Sequence, residues 1–250
     1  MNTETSVTSN PILRRIRAET TTVSATPMTV AGTVRKTGAL LGLTLGAAGM
    51  GWWSLGTGRF PAELLFPVMI GSIVVGLGLA ILVAVRPLTA SWAGPVYAVC
   101  QGVMLGLVSS TINAAYKGLP VMAVGLTSAT FAVMLVAYRT KVVTVTDRFR
   151  AIVVGLTGGV MVFYLISLGV QLVTGFQIPF LMEGGALGIG FSLFVTGLAA
   201  VNLLLDFRRI EDGVAAGTPE AYEWAFATGL VITLIWLYLE ILRLLRKLRR

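Results

Sequence analysis

Histidine is absent from this chain of 250 residues. Without it there can be no histidine general base, no Ser–His dyad and no histidine-ligated zinc or haem. A response to pH near neutrality would therefore have to come from carboxylates that are buried or close to one another.

Cysteine and phosphate-binding loops are equally scarce. Cys100 is the only cysteine, which excludes an intramolecular disulfide and a thiolate metal cluster, and its apolar surroundings indicate a packing role. No glycine-rich loop carries the lysine that binds nucleotide phosphates, which argues against ATP-driven transport by this chain. We predict no enzyme activity and no cofactor, and we assign no metal site.

Charge is scarce as well. Charged residues make up 12% of the chain, against about 25% in an ordinary soluble domain, and hydrophobic residues make up 56%. The mean hydropathy is +0.86. Such a composition is typical of a protein that is embedded in a lipid bilayer.

Seven apolar stretches account for this hydropathy, and each approaches the roughly 20 residues that a helix needs to cross about 30 Å of hydrocarbon. Segments of this kind must be helical, because a helix satisfies its own backbone groups. The sequence therefore predicts an all-α, polytopic membrane protein with seven transmembrane helices in one bundle. The stretches cover residues 37–56, 63–85, 90–112, 118–138, 151–173, 184–205 and 221–245.

The first 35 residues differ in kind. They are rich in serine and threonine, carry Arg14, Arg15 and Arg17, and contain no apolar run. This excludes a cleavable secretory signal. We predict a disordered, basic cytosolic tail over residues 1–35 and a transmembrane domain over residues 36–250. Contact of the tail with anionic lipid head groups is the alternative.

The net charge of +8 reflects membrane topology rather than nucleic-acid binding. On a seven-span map the tail and the loops on its side hold Arg14, Arg15, Arg17, Arg35, Lys36, Arg86, Arg139, Lys141, Arg148, Arg150, Arg208 and Arg209, whereas the opposite loops hold only Arg59 and Lys117. The positive-inside rule then predicts a multi-pass membrane protein with a cytoplasmic N-terminus.

The C-terminal tail conflicts with that rule, because its basic residues would lie outside. These residues are Arg243, Arg246, Lys247, Arg249 and Arg250. Six spans with a re-entrant last segment would remove the conflict and remain the alternative topology. On the seven-span map we predict that Glu63 offsets these charges by an ion pair to Arg246 or Arg250.

Two carboxylates lie in or at the edge of the apolar stretches. Asp206 ends the sixth stretch, and Glu240 interrupts the last one. A charge inside a bilayer costs roughly 2.5–3.5 kcal/mol on insertion scales, so such a residue usually marks an ion path or a paired site. Ion pairs to Arg209 and Arg243, each three residues further along its helix, are the plain structural explanation. An ion path or pH sensor formed by Asp206 and Glu240 is the functional one.

Glycine is abundant and often recurs every four residues, as at Gly42 and Gly46, Gly102 and Gly106, Gly155 and Gly159, and Gly184 and Gly188. This spacing lets helix backbones approach closely in lipid. We expect these pairs to mark helix contacts.

Four motifs resemble those of a known family. LLLDFRRIEDGV at 203–214 and WLYLEILRLLRKL at 236–248 look like the end of the Bax inhibitor family of seven-span proteins. NPILRR at 10–15 and AYRTKVVTVTDRF at 137–149 resemble its actinobacterial branch, which implies a bacterial inner (plasma) membrane. The resemblance implies a pH-sensitive cation leak, with calcium as the ion usually discussed. It also implies an acidic pair, one residue at the end of helix six and one in helix seven, that shares a proton. Asp206 and Glu240 match these positions.

The spacing of the pair departs from the family pattern. In a simple hairpin, Asp206 and Glu240 would be offset by on the order of 20 Å along the helices, too far for a shared proton. A break at Gly229 would restore a common depth, because glycine weakens a helix interior. We therefore predict a short interfacial helix over residues 219–228 and a spanning helix from about Leu230.

Three functions compete at this point. The favoured one is a cation leak, with calcium as a candidate ion, gated by protonation of the two acids. The second is a non-conducting regulatory protein that binds a membrane protease or another membrane partner. The third is an intramembrane enzyme, which the absence of histidine makes weakest. The partners expected from the sequence are the lipid bilayer, cations and a membrane protein, and no nucleic acid.

Overall fold

The computed structural model describes residues 26–175 and 185–249, and helices make up nearly all of this part of the chain. The predicted all-α class is thereby confirmed. The described residues contain seven long helices, which follow one another: α1 Val30–Gly56, α2 Leu65–Val85, α3 Ala90–Ala115, α4 Leu119–Arg139, α5 Asp147–Thr174, α6 Ala186–Ala215 and α7 Glu223–Leu248. Short 3-10 turns precede α2, α3 and α7, at Ala62–Leu64, Pro87–Thr89 and Glu220–Tyr222.

Six of the described helices, α2 to α7, are long and apolar enough to cross a membrane. By this criterion the described residues show six of the seven predicted spans, because α1 falls short of it. Glycine and threonine dilute the hydropathy of α1. Three of its threonines, Thr33, Thr37 and Thr44, are buried against the bundle, where their hydroxyl groups donate to backbone carbonyls four residues earlier.

The first helix begins before the predicted end of the tail. Thr29 caps α1 through its side chain, which accepts a hydrogen bond from the Gly32 amide, so residues 30–35 are helical. This corrects the predicted disorder for that part of the tail. Residues 1–25, with Arg14, Arg15 and Arg17, lie outside the described residues.

The bundle has two ends, which we name by the last helix. The N face is the end where α1 and α7 begin, and an isolated β-bridge between Pro27 and Pro219 joins the two segments there. The C face is the end where α7 finishes, and there Arg249 donates a hydrogen bond to the Lys117 carbonyl at the start of α4. The last helix thus runs without a break from one face of the bundle to the other.

A buried ion pair joins α1 to α7 at the N face. Glu223 is 1% exposed, and its carboxylate accepts from Lys36 Nζ at 2.8 Å and from the Thr29 amide at 2.7 Å. Gly32 passes so close that a Cβ there would overlap the Glu223 carboxylate. A buried charge is tolerated when it is paired and hydrogen-bonded, so this contact fixes the register of α1 against α7.

Glycines of α3 let α1 approach along it. A Cβ built on Gly102 would lie 2.4 Å from the Thr44 carbonyl oxygen, and one on Gly106 would lie 2.1 Å from the Ala48 carbonyl oxygen. The predicted role of this pair in helix contact is confirmed. It is wrong for Gly42 and Gly46, around which a Cβ would meet nothing within 4 Å. A period of four places small residues on one face of a helix but does not show which face has a neighbour.

The two kinds of glycine give a matched test of the packing. We expect Gly106→Ala to lower the stability of the purified protein in detergent by about 1–3 kcal/mol, because the added methyl forces α1 away from α3. Gly46→Ala is the control, and its unfolding temperature should stay the same or rise slightly, since alanine favours a helix. Equal effects of the two substitutions on thermal unfolding would contradict the close approach.

Candidate functional site

Asp206 lies in the last third of α6, where it faces α7. Its side chain is almost fully buried. One carboxylate oxygen accepts from Thr233 Oγ1 at 2.5 Å and the other accepts from Arg209 Nη1 at 3.2 Å. Arg209 is the i+3 partner that the sequence predicts, and its side chain remains 44% exposed. The result is a buried carboxylate held by a hydroxyl on one side and by a partly exposed guanidinium on the other.

Glu240 lies deeper along α7, where α5 comes close. It is 1% exposed. Arg243 Nη1 reaches both carboxylate oxygens at 2.8 Å, and Trp236 Nε1 donates to one of them at 3.2 Å. Tyr164 of α5 donates its hydroxyl to the other oxygen at 3.3 Å. The same tyrosine accepts from Arg243 and lies under its guanidinium, 4.8 Å from the ring centroid.

The two carboxylates form separate sites. Asp206 is level with Thr233, which precedes Glu240 by seven residues, or about 10 Å along a helix axis. Their hydrogen bonds go to different partners, and they share none. The predicted direct contact, with one proton shared between the acids, is not formed.

The predicted break at Gly229 is also wrong. The last helix is continuous from Glu223 to Leu248, and Gly229 lies within it. Its neighbours Thr228 and Leu230 are buried against the bundle. Tertiary packing of this kind outweighs the roughly 1 kcal/mol that glycine costs in a helix interior. The straight helix keeps the two acids apart, by about 10 Å along its axis rather than by the roughly 20 Å expected of a simple hairpin.

Thr233 is the residue that sequence reasoning missed. Its position does not stand out in the sequence, because threonine is common in membrane helices. A search by depth would have pointed elsewhere, because the simple hairpin that sets Asp206 about 20 Å from Glu240 puts it level with Thr228 rather than with Thr233.

At the C face, one basic residue of the C-terminal motif, Lys247, is buried in the protein. Lys247 is 2% exposed, and its ammonium group donates to the Gly188 carbonyl of α6 at 2.9 Å.

Glu63 is exposed in the turn before α2 and forms no ion pair with any residue that the structure describes. The predicted contact of Glu63 with Arg246 is thus absent. Its other predicted partner, Arg250, lies outside the described residues.

The chemistry of the two sites is that of hard oxygen ligands. Each offers one carboxylate with a hydroxyl beside it, from Thr233 at the first site and from Tyr164 at the second. Within residues 26–175 and 185–249 no group of three or more histidine, cysteine, aspartate or glutamate side chains is placed to hold a metal ion. The arrangement fits brief contact with a hydrated cation better than a closed cage of the six to eight oxygens that calcium prefers.

Fold and site together define a polytopic helical membrane protein with buried carboxylates in its last two helices. A model of the family described as Bax inhibitor 1 like matches residues 10–250. The chain belongs to this Bax inhibitor family. Searches among curated proteins and among solved structures found no match.

A double-mutant cycle tests the separation of the acids. Asp206→Asn and Thr233→Val should be non-additive in unfolding free energy by about 0.5–3 kcal/mol, because these side chains touch. Asp206→Asn and Glu240→Gln should add within about 0.3–0.5 kcal/mol, because their partners differ. Denaturation of the three single variants, the two double variants and the wild type in one detergent gives both couplings. A large coupling between the two acids would contradict the separation.

Proposed function

We propose that this protein is a pH-sensitive cation leak in which Asp206 and Glu240 act as two successive carboxylates along α7. The observation that carries the proposal is the burial of both groups inside helices apolar enough to span a membrane. Buried charge of this kind is costly in lipid and usually marks an ion or proton path. Family membership supports the same class of function.

The path runs along one side of α7. It starts at the N face with the partly exposed Arg209, meets Asp206 and Thr233 near the middle of the helix, and reaches Glu240 and Arg243 about two turns further on. Proton loss from either acid leaves a negative charge that a cation can neutralise in place of the arginine. Protonation removes that charge. Cation flux should therefore rise with pH.

Calcium is the candidate ion on chemical grounds. Carboxylate and hydroxyl oxygens are the ligands that hard divalent cations prefer. Since each site supplies only a few such oxygens, the ion would keep part of its water shell during transit. The two sites would then be stepping points about 10 Å apart along the helix.

We also propose that α1 is a seventh crossing and that the N face is cytoplasmic. Successive contacts place α1 parallel to α3, from Leu40 beside Gly94 to Ala48 beside Gly106. Two of the C-terminal basic residues that conflict with a cytoplasmic N face are not exposed in a loop. Arg243 is paired with Glu240, and Lys247 is buried on Gly188, which weakens their weight in the positive-inside rule.

Flux into proteoliposomes tests the proposal. Calcium entry, followed with an enclosed indicator, should increase from acidic to neutral pH for the wild type. Asp206→Asn and Glu240→Gln should each lower it roughly tenfold, the effect of about 1.4 kcal/mol on the barrier, and should weaken the pH dependence. The control is Asp212→Asn, because Asp212 is half-exposed on the same helix as Asp206 and pairs only with Arg208 at the surface.

Absence of flux from vesicles that contain folded wild-type protein would contradict the leak. The function to pursue would then be the non-conducting regulatory role, with a membrane protease or another membrane protein as partner. The exposed basic segment from the end of α4 to the first turn of α5, with Lys141 and Arg148, would be the first surface to test for such contacts.

A further inference from the structure

A crevice of about 490 Å³ lies between α1 and α4, on the opposite side of α7 from Glu240 and Arg243. Its walls come from α1 and α4, which hardly touch each other, and its floor comes from α3 and α7. Ile235 and Leu105 on the floor are buried, whereas Leu45 and Val121 on the rim are largely exposed. The crevice therefore opens sideways, between helices, toward the surrounding lipid.

The buried polar groups of the crevice are already satisfied. Thr44 and Thr127 donate to backbone carbonyls of their own helices, and Ser109 and Tyr238 are hydrogen-bonded to each other at 2.7 Å. The remaining surface is almost wholly aliphatic or aromatic. A ligand here would gain nothing from polar atoms, and an alkyl chain fits this lining.

The crevice has the depth of one lipid leaflet. It extends from Leu41 to Trp52 on α1 and from Phe131 to Pro120 on α4. Each stretch rises by about 16 Å, close to half of the roughly 30 Å hydrocarbon core. Trp52 and Pro120 lie toward the C face. An acyl chain would therefore enter at the C face and end near the middle of the bilayer.

Two cations stand at the C-face mouth of the crevice. The guanidinium of Arg249 lies beside the start of α4, where it donates to the Lys117 carbonyl at 3.4 Å and contacts Met122 Sδ at 3.8 Å. The Lys117 side chain is exposed. Neither residue has a carboxylate partner among the residues that the structure describes. Paired cations at the membrane surface suit a phosphate.

We propose that this crevice is a binding site for one phospholipid, with an acyl chain between α1 and α4 and an anionic head group against Lys117 and Arg249. The alkyl lining, the leaflet-deep length and the cations at the mouth each point to this ligand. The site is independent of the proposed cation path. The bound chain would lie against Leu234, Ile235 and Tyr238 of α7.

Native mass spectrometry of delipidated protein in detergent, titrated with phosphatidylglycerol, tests the site. We expect one lipid to bind more tightly than any others. Gly49→Leu should weaken this first binding by roughly tenfold or more, because Gly49 lines the crevice and its side-chain position is open. Gly46→Leu is the matched control on the same helix. Its side-chain position is equally open but outside the crevice, so binding should not change. Unaltered binding to Gly49→Leu, or equal loss in both variants, would overturn the proposal.

The head-group contact has its own test. The wild type should prefer phosphatidylglycerol to phosphatidylcholine, and the double variant Lys117→Gln, Arg249→Gln should lose that preference while still binding one lipid. The matched control neutralises Arg86 and Lys141 at the N face and should keep the preference. Retention of the preference by the first double variant would contradict the assigned head-group site.

A photoactivatable phosphatidylglycerol removes any dependence on folding of the variants. Lipid adducts on wild-type peptides that cover residues 41–52 and 120–131 would support the proposal. Adducts confined to other helices would overturn it.

Discussion

A charge that is buried in a membrane protein needs a partner inside the protein, and this requirement shapes the last helix. Four charged side chains of α7 or of its neighbours are almost fully buried: Asp206, Glu223, Glu240 and Lys247. Each has a partner on another helix. Because the attraction between such groups is strong where the dielectric constant is low, these contacts hold α7 at a fixed depth among α1, α5 and α6. The straightness of α7 follows, since a break at Gly229 would pull the lower contacts out of register.

The same contacts explain why the acids do not meet. Asp206 is fixed at the level of Thr233 by the hairpin from α6 to α7, whereas Glu240 is fixed two turns further by Arg243 and by Tyr164 of α5. Two carboxylates that shared a proton would titrate as one unit. The two carboxylates of this chain have separate partners. The chain therefore has two separate carboxylate sites along α7 where the family resemblance implies a single pair.

Much of this arrangement could be predicted from the sequence. The class and most helix positions follow from hydropathy, and the ion pairs of Asp206 with Arg209 and of Glu240 with Arg243 follow from a spacing of three residues in a helix. Local periodicity carries no information on the partner from another helix. The positions of Thr233 opposite Asp206 and of Tyr164 opposite Glu240 depend on how the helices pack. Packing also determines that Gly106 lies at a helix contact and that Gly46 does not.

Infrared difference spectroscopy across a pH titration tests the independence of the two carboxylates most directly. Protonated carboxyl groups absorb apart from the amide bands, and their frequency depends on their hydrogen bonds. The account predicts that Asp206→Asn removes one carboxyl signal and leaves the frequency of the Glu240 signal unchanged, and that Glu240→Gln does the reverse, because the acids have no hydrogen-bond partner in common. A changed frequency of the remaining signal in either variant would show that the two acids share a hydrogen bond or a proton after all, and would contradict the account.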